Sequence, residues 1–394
     1  MTFEFADRMS LIKASEIREI LKVTERPEII SFAGGLPAPE TFPIEQIKEA
    51  NRIVLEESGR KALQYSTTEG FSPLRKWIAS RMNSTLNTNF KSENILITHG
   101  SQQGLDLMGK IFLNKDDVVL CESPTYLAAI SAFKAYECRF VEVPTDKEGM
   151  IPEELERIIK NTKNIKLIYT IPTFQNPTGV TWTLERRKSV VNIANKYNKV
   201  IIEDNPYGEL RFKGRNLPSL QYFDESGNVV CFGTFSKIFC PGYRIAWVAA
   251  HKEIIEKLVV IKQSTDLQCN TSAQMEISKY LELNDIDKHI EGIRQLYKKR
   301  GELALNTMEE EFPTCVEFNK PDGGLFTWIK LPENIDARDL LKKCLERNVA
   351  FVPGSSFFPN GGHENYFRIN YSNMPEDRIA YGIKIIGEVI KEYI

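Results

Sequence analysis

Two cations stand where an apolar interior begins. In the stretch Gly233–Val248, GTFSKIFCPGYRIAWV, Lys237 follows the hydroxyl-bearing turn Thr234-Phe235-Ser236, and Arg244 comes seven residues later. The flanking VVCF and IAWVAA read as buried strands, so both charges border a region where an unpaired charge is costly. A lysine that is partly buried beside another cation loses its ammonium form more readily, because desolvation and like charge both disfavour it. The result is a nucleophilic amine. Arg244 and the hydroxyls of Thr234 and Ser236 suit a dianionic phosphate.

Three further stretches carry groups of the same kind. ILITHGSQQGLDLMGK reads as strand, turn and helix, with Gly100 freeing the backbone and Ser101, Gln102 and Gln103 opening the helix. Helix-terminal N–H groups and a hydroxyl there would face an anion, although an ordinary N-cap serine fits the stretch equally well. Gly104 to Lys110 mimics a nucleotide P-loop, but Ile111 stands where the motif needs Ser or Thr, and the match falls inside the helix. VIIEDNPYGEL ends a strand on Glu203-Asp204 with Tyr207 three residues on. A carboxylate following VII must be solvated, paired or functional. Asn176-Pro177-Thr178-Gly179 is, taken alone, a turn. A phosphate cradle, an acid and an activated lysine together call for pyridoxal 5'-phosphate, which needs a lysine for its Schiff base and an acid against its pyridinium nitrogen.

The elements that must position these groups are legible in the alternation of the chain. NILIT, DVVLCE, CRFVEV, IKLIYT, KVIIED, NVVCFG and RIAWVAA read as strands, and helical patterns such as TYLAAISAFKAY and LERRKSVVNIANKY lie between several of them. Runs that are apolar on both faces and separated by helices predict a mostly parallel sheet sandwiched by helices. Ligands in such α/β domains sit at the carboxyl ends of the strands. Beyond Ser272 the pattern changes to the long amphipathic stretch DIDKHIEGIRQLYKKRGELALNTMEEEF, the short strands LFTWIKL, VAFV and NYFRINYS, and a final helix from about Pro375 to Tyr393. This predicts a large domain over 42–275 and a smaller α+β domain made of 276–394 with the segment 1–41, in which a helix precedes SFAGGLPAPETFP. Ser72 is the expected N-cap of a helix with Pro73 in its first turn.

Composition narrows the function classes. The 394 residues carry a formal net charge of −2, which offers no general field for nucleic acid or an anionic membrane. No run approaches the ~18 apolar residues of a spanning helix, and the N-terminus MTFEFADRMS has no signal-peptide core. The seven cysteines have no paired short spacing and read as reduced cytoplasmic thiols. Cys240, close to Lys237, reads as a small side chain in a tight turn rather than a reactive thiol. The four histidines are dispersed, and no metal site is expected.

The chain resembles the fold-type I pyridoxal-phosphate aminotransferases of class I/II, in particular the branch of 2-aminoadipate, kynurenine and related multi-substrate enzymes of amino-acid metabolism. The resemblance runs nearly end to end through SFAGGLPAPETFP, LQYSTTEGFSPLR, HGSQQGLDL, ESPTYLAAI, PTFQNPTG, EDNPYGEL, FSKIFCPGYRIAWV, GGLFTWI, FVPGSSF and FRINYS, in the family's order. It implies that Lys237 is the Schiff-base lysine and that Asp204 keeps the pyridine nitrogen protonated. Tyr207 and Asn176 match the partners of the ring 3-hydroxyl, and Tyr126 the aromatic stacked on the ring. Ser101, Gln102, Thr234 and Arg244 match the phosphate site, with Gly100 and Ser236 in the same cofactor set. Tyr65 matches a tyrosine that reaches the phosphate from the neighbouring subunit of a homodimer. Arg368 matches the clamp on the substrate α-carboxylate, and Gly35 and Asn176 line the substrate pocket. Thr234 stands where many relatives have Ser, and FCPGYR replaces a more usual small-residue turn. The implied activity is ping-pong transfer of an amino group from an L-amino acid to a 2-oxo acid such as 2-oxoglutarate. A lyase or decarboxylase on the same scaffold is the alternative. Regulators that use this body as a ligand sensor carry about seventy DNA-binding residues ahead of it, whereas here the body starts almost at Met1.

Overall fold

A computed structural model describes residues 3–12 and 26–394. Part of the first forty residues, where a helix is expected, falls in 13–25 and lies outside the described residues. In chain order the strands are β1 (Ile30–Ser31), β2 (Ile95–Thr98), β3 (Val118–Ser123), β4 (Arg139–Asp146), β5 (Gly149–Met150), β6 (Ile165–Thr170), β7 (Val200–Asp204), β8 (Val229–Thr234), β9 (Ala246–Ala249), β10 (Glu317–Phe318), β11 (Phe326–Lys330), β12 (Val349–Ala350), β13 (Val352–Pro353) and β14 (Tyr366–Asn370). An eight-stranded sheet runs β2-β9-β8-β7-β6-β3-β4-β5, and a four-stranded antiparallel sheet runs β10-β11-β14-β13. All seven strands expected in the first half are present.

The large sheet is buried on both faces, and consecutive residues enter different cores. Ile97, Leu120, Ile168 and Ile201 join one apolar cluster, while Leu96, Val119, Leu167 and Ile202 join the other. This alternation is the period-2 geometry of a strand expressed in packing. The helices Gly100–Phe112, Leu127–Lys134 and Lys252–Gln263 cover one face through Leu105, Met108, Phe133 and Leu258. The helices Ser72–Leu86, Pro152–Asn161 and Leu184–Lys196 cover the other through Ile78, Ile158 and Val190.

One irregularity of topology matters for function. Strand β9 is antiparallel to both neighbours, β8 and β2, so β2 points the same way as β8. Thr98 at the end of β2 and Thr234 at the end of β8 both stand opposite Ala246 at the start of β9. The helix opening at Gly100, the end of β8 and the loop leading into β9 are thereby delivered to one edge of the sheet.

Two details differ from the expectation. VAFV is not one strand: β12 pairs with β1 in a parallel two-stranded sheet, β13 joins the four-stranded sheet, and Phe351 turns the chain between them. Ser72 is the first helical residue rather than the cap. Phe71 occupies the cap position with extended backbone, and its N–H donates to Gln274 Oε1 at 2.7 Å, so a residue distant in sequence supplies the acceptor. The long amphipathic stretch forms the helix Ile286–Glu311, and the final helix spans Glu376–Lys391.

Candidate active site

Lys237 lies in the connection between β8 and β9, just beyond the edge at which the parallel strands end. The hydroxyl of Thr234 donates to Ser236 Oγ at 2.9 Å and accepts from the Ser236 N–H at 3.0 Å, so the end of β8 folds into a tight polar turn. Lys237 Nζ donates to the Gly35 carbonyl at 2.8 Å, which draws the segment after β1 over the site. Burial, followed by the positive charges of Arg244 and Arg368, lowers the Lys237 pKa from 10.5 to about 8. This is the environment the sequence led us to expect for an amine that must lose its proton.

Arg244 sits two residues before β9, after the turn Pro241–Tyr243, in a left-handed conformation, φ 55°. Such a conformation costs a non-glycine residue about 1–3 kcal/mol and marks a backbone held for a purpose. Its guanidinium packs against the first turn of the helix Gly100–Phe112. A Cβ on Gly100, whose φ is +72°, would lie 2.2 Å from Arg244 Nη2, so only glycine admits the guanidinium here. The N-terminal N–H groups of that helix, with Ser101 half-buried beside them, are the partly positive end of the helix dipole. Gln102 is exposed and donates to the Ala128 carbonyl at 3.3 Å. The helix begins at Gly100 with His99 at the cap, so Ser101 is not an N-cap serine, and the P-loop mimic lies wholly within the helix.

Asp204 ends β7 and is 2% exposed. Its Oδ2 accepts from the Tyr169 hydroxyl at 2.9 Å, while its Oδ1 is buried with no hydrogen-bond partner among the described residues. Burial raises its pKa to about 6, and the Tyr169 hydrogen bond only partly offsets this. The neighbouring Glu203 turns to the other face, towards Arg187 at 4.0 Å and Ser219. An unpaired carboxylate oxygen in a dry pocket fits an N–H cation. Tyr126, half-buried at the cap of the helix Leu127–Lys134, has its pKa raised by burial and then by the Asp204 charge. Tyr207 accepts from Asn176 Nδ2 at 3.3 Å.

Arg368 arrives from the small sheet, on β14 opposite Trp328 and Val352. Its Nη1 donates to Asn176 Oδ1 at 2.7 Å and its Nη2 to the Ala33 carbonyl at 2.6 Å, while its buried Nε has no partner among the described residues. The guanidinium carbon lies 4.1 Å from the Phe326 ring centroid and 5.1 Å from that of Phe357. Burial lowers its pKa to about 10, which leaves it a cation at neutral pH. Phe326 also packs edge-on to Tyr207, and a Cβ at Gly35 would come within 3.2 Å of it.

Gly35, Asn176, Tyr207 and Arg368 are thereby linked by contacts, Gly35 also meets Lys237 and Gly100 packs on Arg244, while Ser101 and Gln102 open the adjoining helix. Tyr65 follows the helix Ile44–Ala62 and is 79% exposed. Tyr169, Phe326 and Phe357 were not foreseen. Tyr169 stands opposite Ile202 on β7, on the same face as Asp204, so its hydroxyl meets the acid through a strand pairing that residue spacing does not reveal. Cys240 is buried and its thiol is pushed up to about 12 by burial, which makes it unreactive. The dispersed histidines hide one cluster, in which His99, Asp266 and Cys269 bring potential ligand atoms within 4.8 Å of one another. The Asp266 carboxylate there is already taken by the Lys262 ammonium, at 2.7 Å.

The residues present fit pyridoxal 5'-phosphate: an unpartnered acid oxygen, a depressed lysine, and a helix terminus packed against an arginine. Comparison with known proteins agrees. The chain is 47% identical over 392 residues to aromatic-amino-acid aminotransferase 1 of Thermococcus litoralis, covering 98% of this chain and 94% of that one. It superposes on the kynurenine aminotransferase of Pyrococcus horikoshii, solved with PMP, with a TM-score of 0.95 at 42% identity, over 99% of this chain and 97% of the other. The α-aminoadipate aminotransferase of Thermus thermophilus, complexed with N-(5'-phosphopyridoxyl)-L-leucine, gives 0.91 at 40% identity over 98% and 97%. Residues 28–386 match the family described as aminotransferase class I and II, and the chain belongs to that family.

Proposed function

We propose that this chain uses pyridoxal 5'-phosphate to move an amino group from an L-amino acid to a 2-oxo acid, 2-oxoglutarate among them, in two ping-pong half-reactions. When bound, the cofactor supplies an aldehyde that condenses with amines and a protonated ring that draws electrons from the substrate α-carbon. The observation that carries the reading is the pairing of opposite shifts in one cleft: an amine lowered to about 8 and a carboxyl raised to about 6.

The residues divide the work. Asp204, ionised above about pH 6, holds a proton on the ring nitrogen through its Oδ1. Asn176 and Tyr207 would hold the 3-hydroxyl side of the ring, and Tyr126 would pack against it. Gly100, Ser101, Gln102, Thr234, Ser236 and Arg244 hold the phosphate. Arg368 grips the substrate carboxylate, with Gly35 and Asn176 forming the wall beside it. Its guanidinium lies against Phe326 and Phe357, and its planar fork can present two parallel N–H donors. Lys237 Nζ, uncharged, takes the proton from the substrate α-carbon.

The named relatives act on aromatic amino acids, kynurenine and α-aminoadipate, and we assign this chain to the same broad class of donors. We also propose a cytoplasmic homodimer whose Tyr65 completes the neighbouring site. Its cysteines are free and mostly buried, as in a reducing compartment. Among the described residues no helix is long and apolar enough to cross a membrane. The test is a panel of L-amino acids offered with 2-oxoglutarate. Glutamate and the matching 2-oxo acid should appear in equal amounts. Carbon dioxide or ammonia released without amino transfer would overturn the reading.

A further inference from the structure

A fully buried lysine outside the cleft ties down the turn on which the phosphate would rest. Lys262, on the helix Lys252–Gln263, is 0% exposed. Its ammonium donates to Asp266 Oδ1 at 2.7 Å, to Asp266 Oδ2 at 2.8 Å and to Gln103 Oε1 at 2.9 Å. Gln103 completes the ring by donating its Nε2 to Asp266 Oδ2 at 2.6 Å. A buried charge without partners is strongly unfavourable, and here every polar end has one.

The arrangement leaves the Gln103 amide one orientation. Its oxygen must face the ammonium and its nitrogen the carboxylate, since the flipped amide would set donor against donor and acceptor against acceptor. With Oε1 so directed, it also accepts the His99 N–H at 2.9 Å. His99 is the cap of the helix Gly100–Phe112, and Gly100, whose backbone is wedged against Arg244, comes next. The device works like the returning glutamine of a capping box, reaching back one residue further. It fixes the backbone immediately before the N–H groups that face the anion.

We infer that Lys262, Gln103 and Asp266 form a positioning network that sets the phosphate-binding turn, and so contributes to recognition of the cofactor's phosphate rather than its ring. This rests on the reading that the N-terminus of the Gly100–Phe112 helix and Arg244 receive that phosphate. None of the three side chains is needed to touch the cofactor.

The experiment titrates cofactor-stripped protein with pyridoxal 5'-phosphate and, separately, with pyridoxal, which has the ring and aldehyde but no phosphate. In the parent, pyridoxal 5'-phosphate should bind at least a hundredfold more tightly. Lys262→Met should shrink that ratio about tenfold by weakening the phosphorylated ligand alone. Should Lys262→Met not fold, Gln103→Leu leaves Lys262 paired with Asp266 and should shrink the ratio in the same way. An unchanged ratio, or equal weakening of both ligands, would make the network a stabilising feature only and overturn the inference. A parent chain that binds both ligands equally would remove the phosphate site itself, and the inference with it.

Discussion

Lys237 is the residue whose environment speaks most directly about chemistry. An amine with a pKa of about 8 is uncharged in about one molecule in ten at pH 7, against about one in three thousand for an ordinary lysine. Burial and two guanidinium groups disfavour the ammonium, so the reactive form appears as pH rises through about 8. The rate at which pyridoxal 5'-phosphate attaches to the stripped protein should climb through about pH 8 and level about one unit above it. A profile still rising above pH 10 would contradict the assignment. Lys237→Ala should keep non-covalent cofactor binding through the phosphate while losing the absorbance of lysine-bound cofactor and nearly all turnover. Asp204 makes the complementary case. Asp204→Asn preserves shape and the Tyr169 contact but removes the charge against the ring nitrogen. Breaking such a buried charge pair costs roughly 3–5 kcal/mol, so kcat should fall by about two to three orders of magnitude or more. Stopped-flow half-reactions would reveal it, and a kcat within tenfold of the parent would refute the role. Both residues drew notice in the sequence for one reason: a charge beside an apolar strand must be solvated, paired or functional, and Glu203, set against Arg187 and Ser219, shows the paired outcome. Tyr169, Phe326 and Phe357 were not, because a tyrosine or phenylalanine in a strand is already accounted for by burial.

At the scale of elements, the antiparallel β9 is what gathers the phosphate groups. Had the chain continued in parallel, Arg244, two residues before Ala246, would lie at the opposite edge from Thr234 and Gly100. The strands themselves could be read from sequence, since apolar runs and turn residues are local. Their pairing could not, because register is written in contacts between distant segments. The same limit explains Ser72, whose capping role passes to Phe71 and the remote Gln274, and the division of VAFV between two sheets. It also explains why the network of Gln103 and Lys262 left no trace in residue spacing. β14 holds the element-level prediction. Arg368 is a lone cation in YFRINY, pinned between two rings, and an ammonium cannot reproduce its planar fork. Arg368→Lys should raise KM for both amino and 2-oxo acids by tenfold or more and leave the cofactor spectrum unchanged. Loss of cofactor binding with KM intact would reverse the assignment.

For the whole molecule the open question is Tyr65. Tyr65 is 79% exposed on the chain carrying it, and in the proposed two-fold dimer it would complete the other subunit's site. An isologous interface makes this testable by mixing two inactive parents. A heterodimer of Lys237→Ala and Tyr65→Ala has one doubly damaged site and one intact site. Random pairing puts about half the dimers in that mixed class, so co-refolding should restore about a quarter of parental activity. Mixed dimers that form without any recovery would place Tyr65 outside the partner's site.

The separation of the two sheets also bears on how such a protein can diversify. Asp204 and Thr234 end strands of the large sheet, and Lys237 and Arg244 lie on the connection between β8 and β9, whereas Arg368 and the rings beside it belong to the small sheet and the turn 354–357. The two sets touch at the Asn176–Arg368 hydrogen bond and at the Gly35 carbonyl held by Lys237. Changes in β11 or in residues 354–357 would alter the surroundings of Arg368 while leaving Lys237 and Asp204 in place, whereas changes in the segment 33–36 would reach Lys237 through the Gly35 carbonyl. A lineage built this way can acquire new diets without relearning its chemistry.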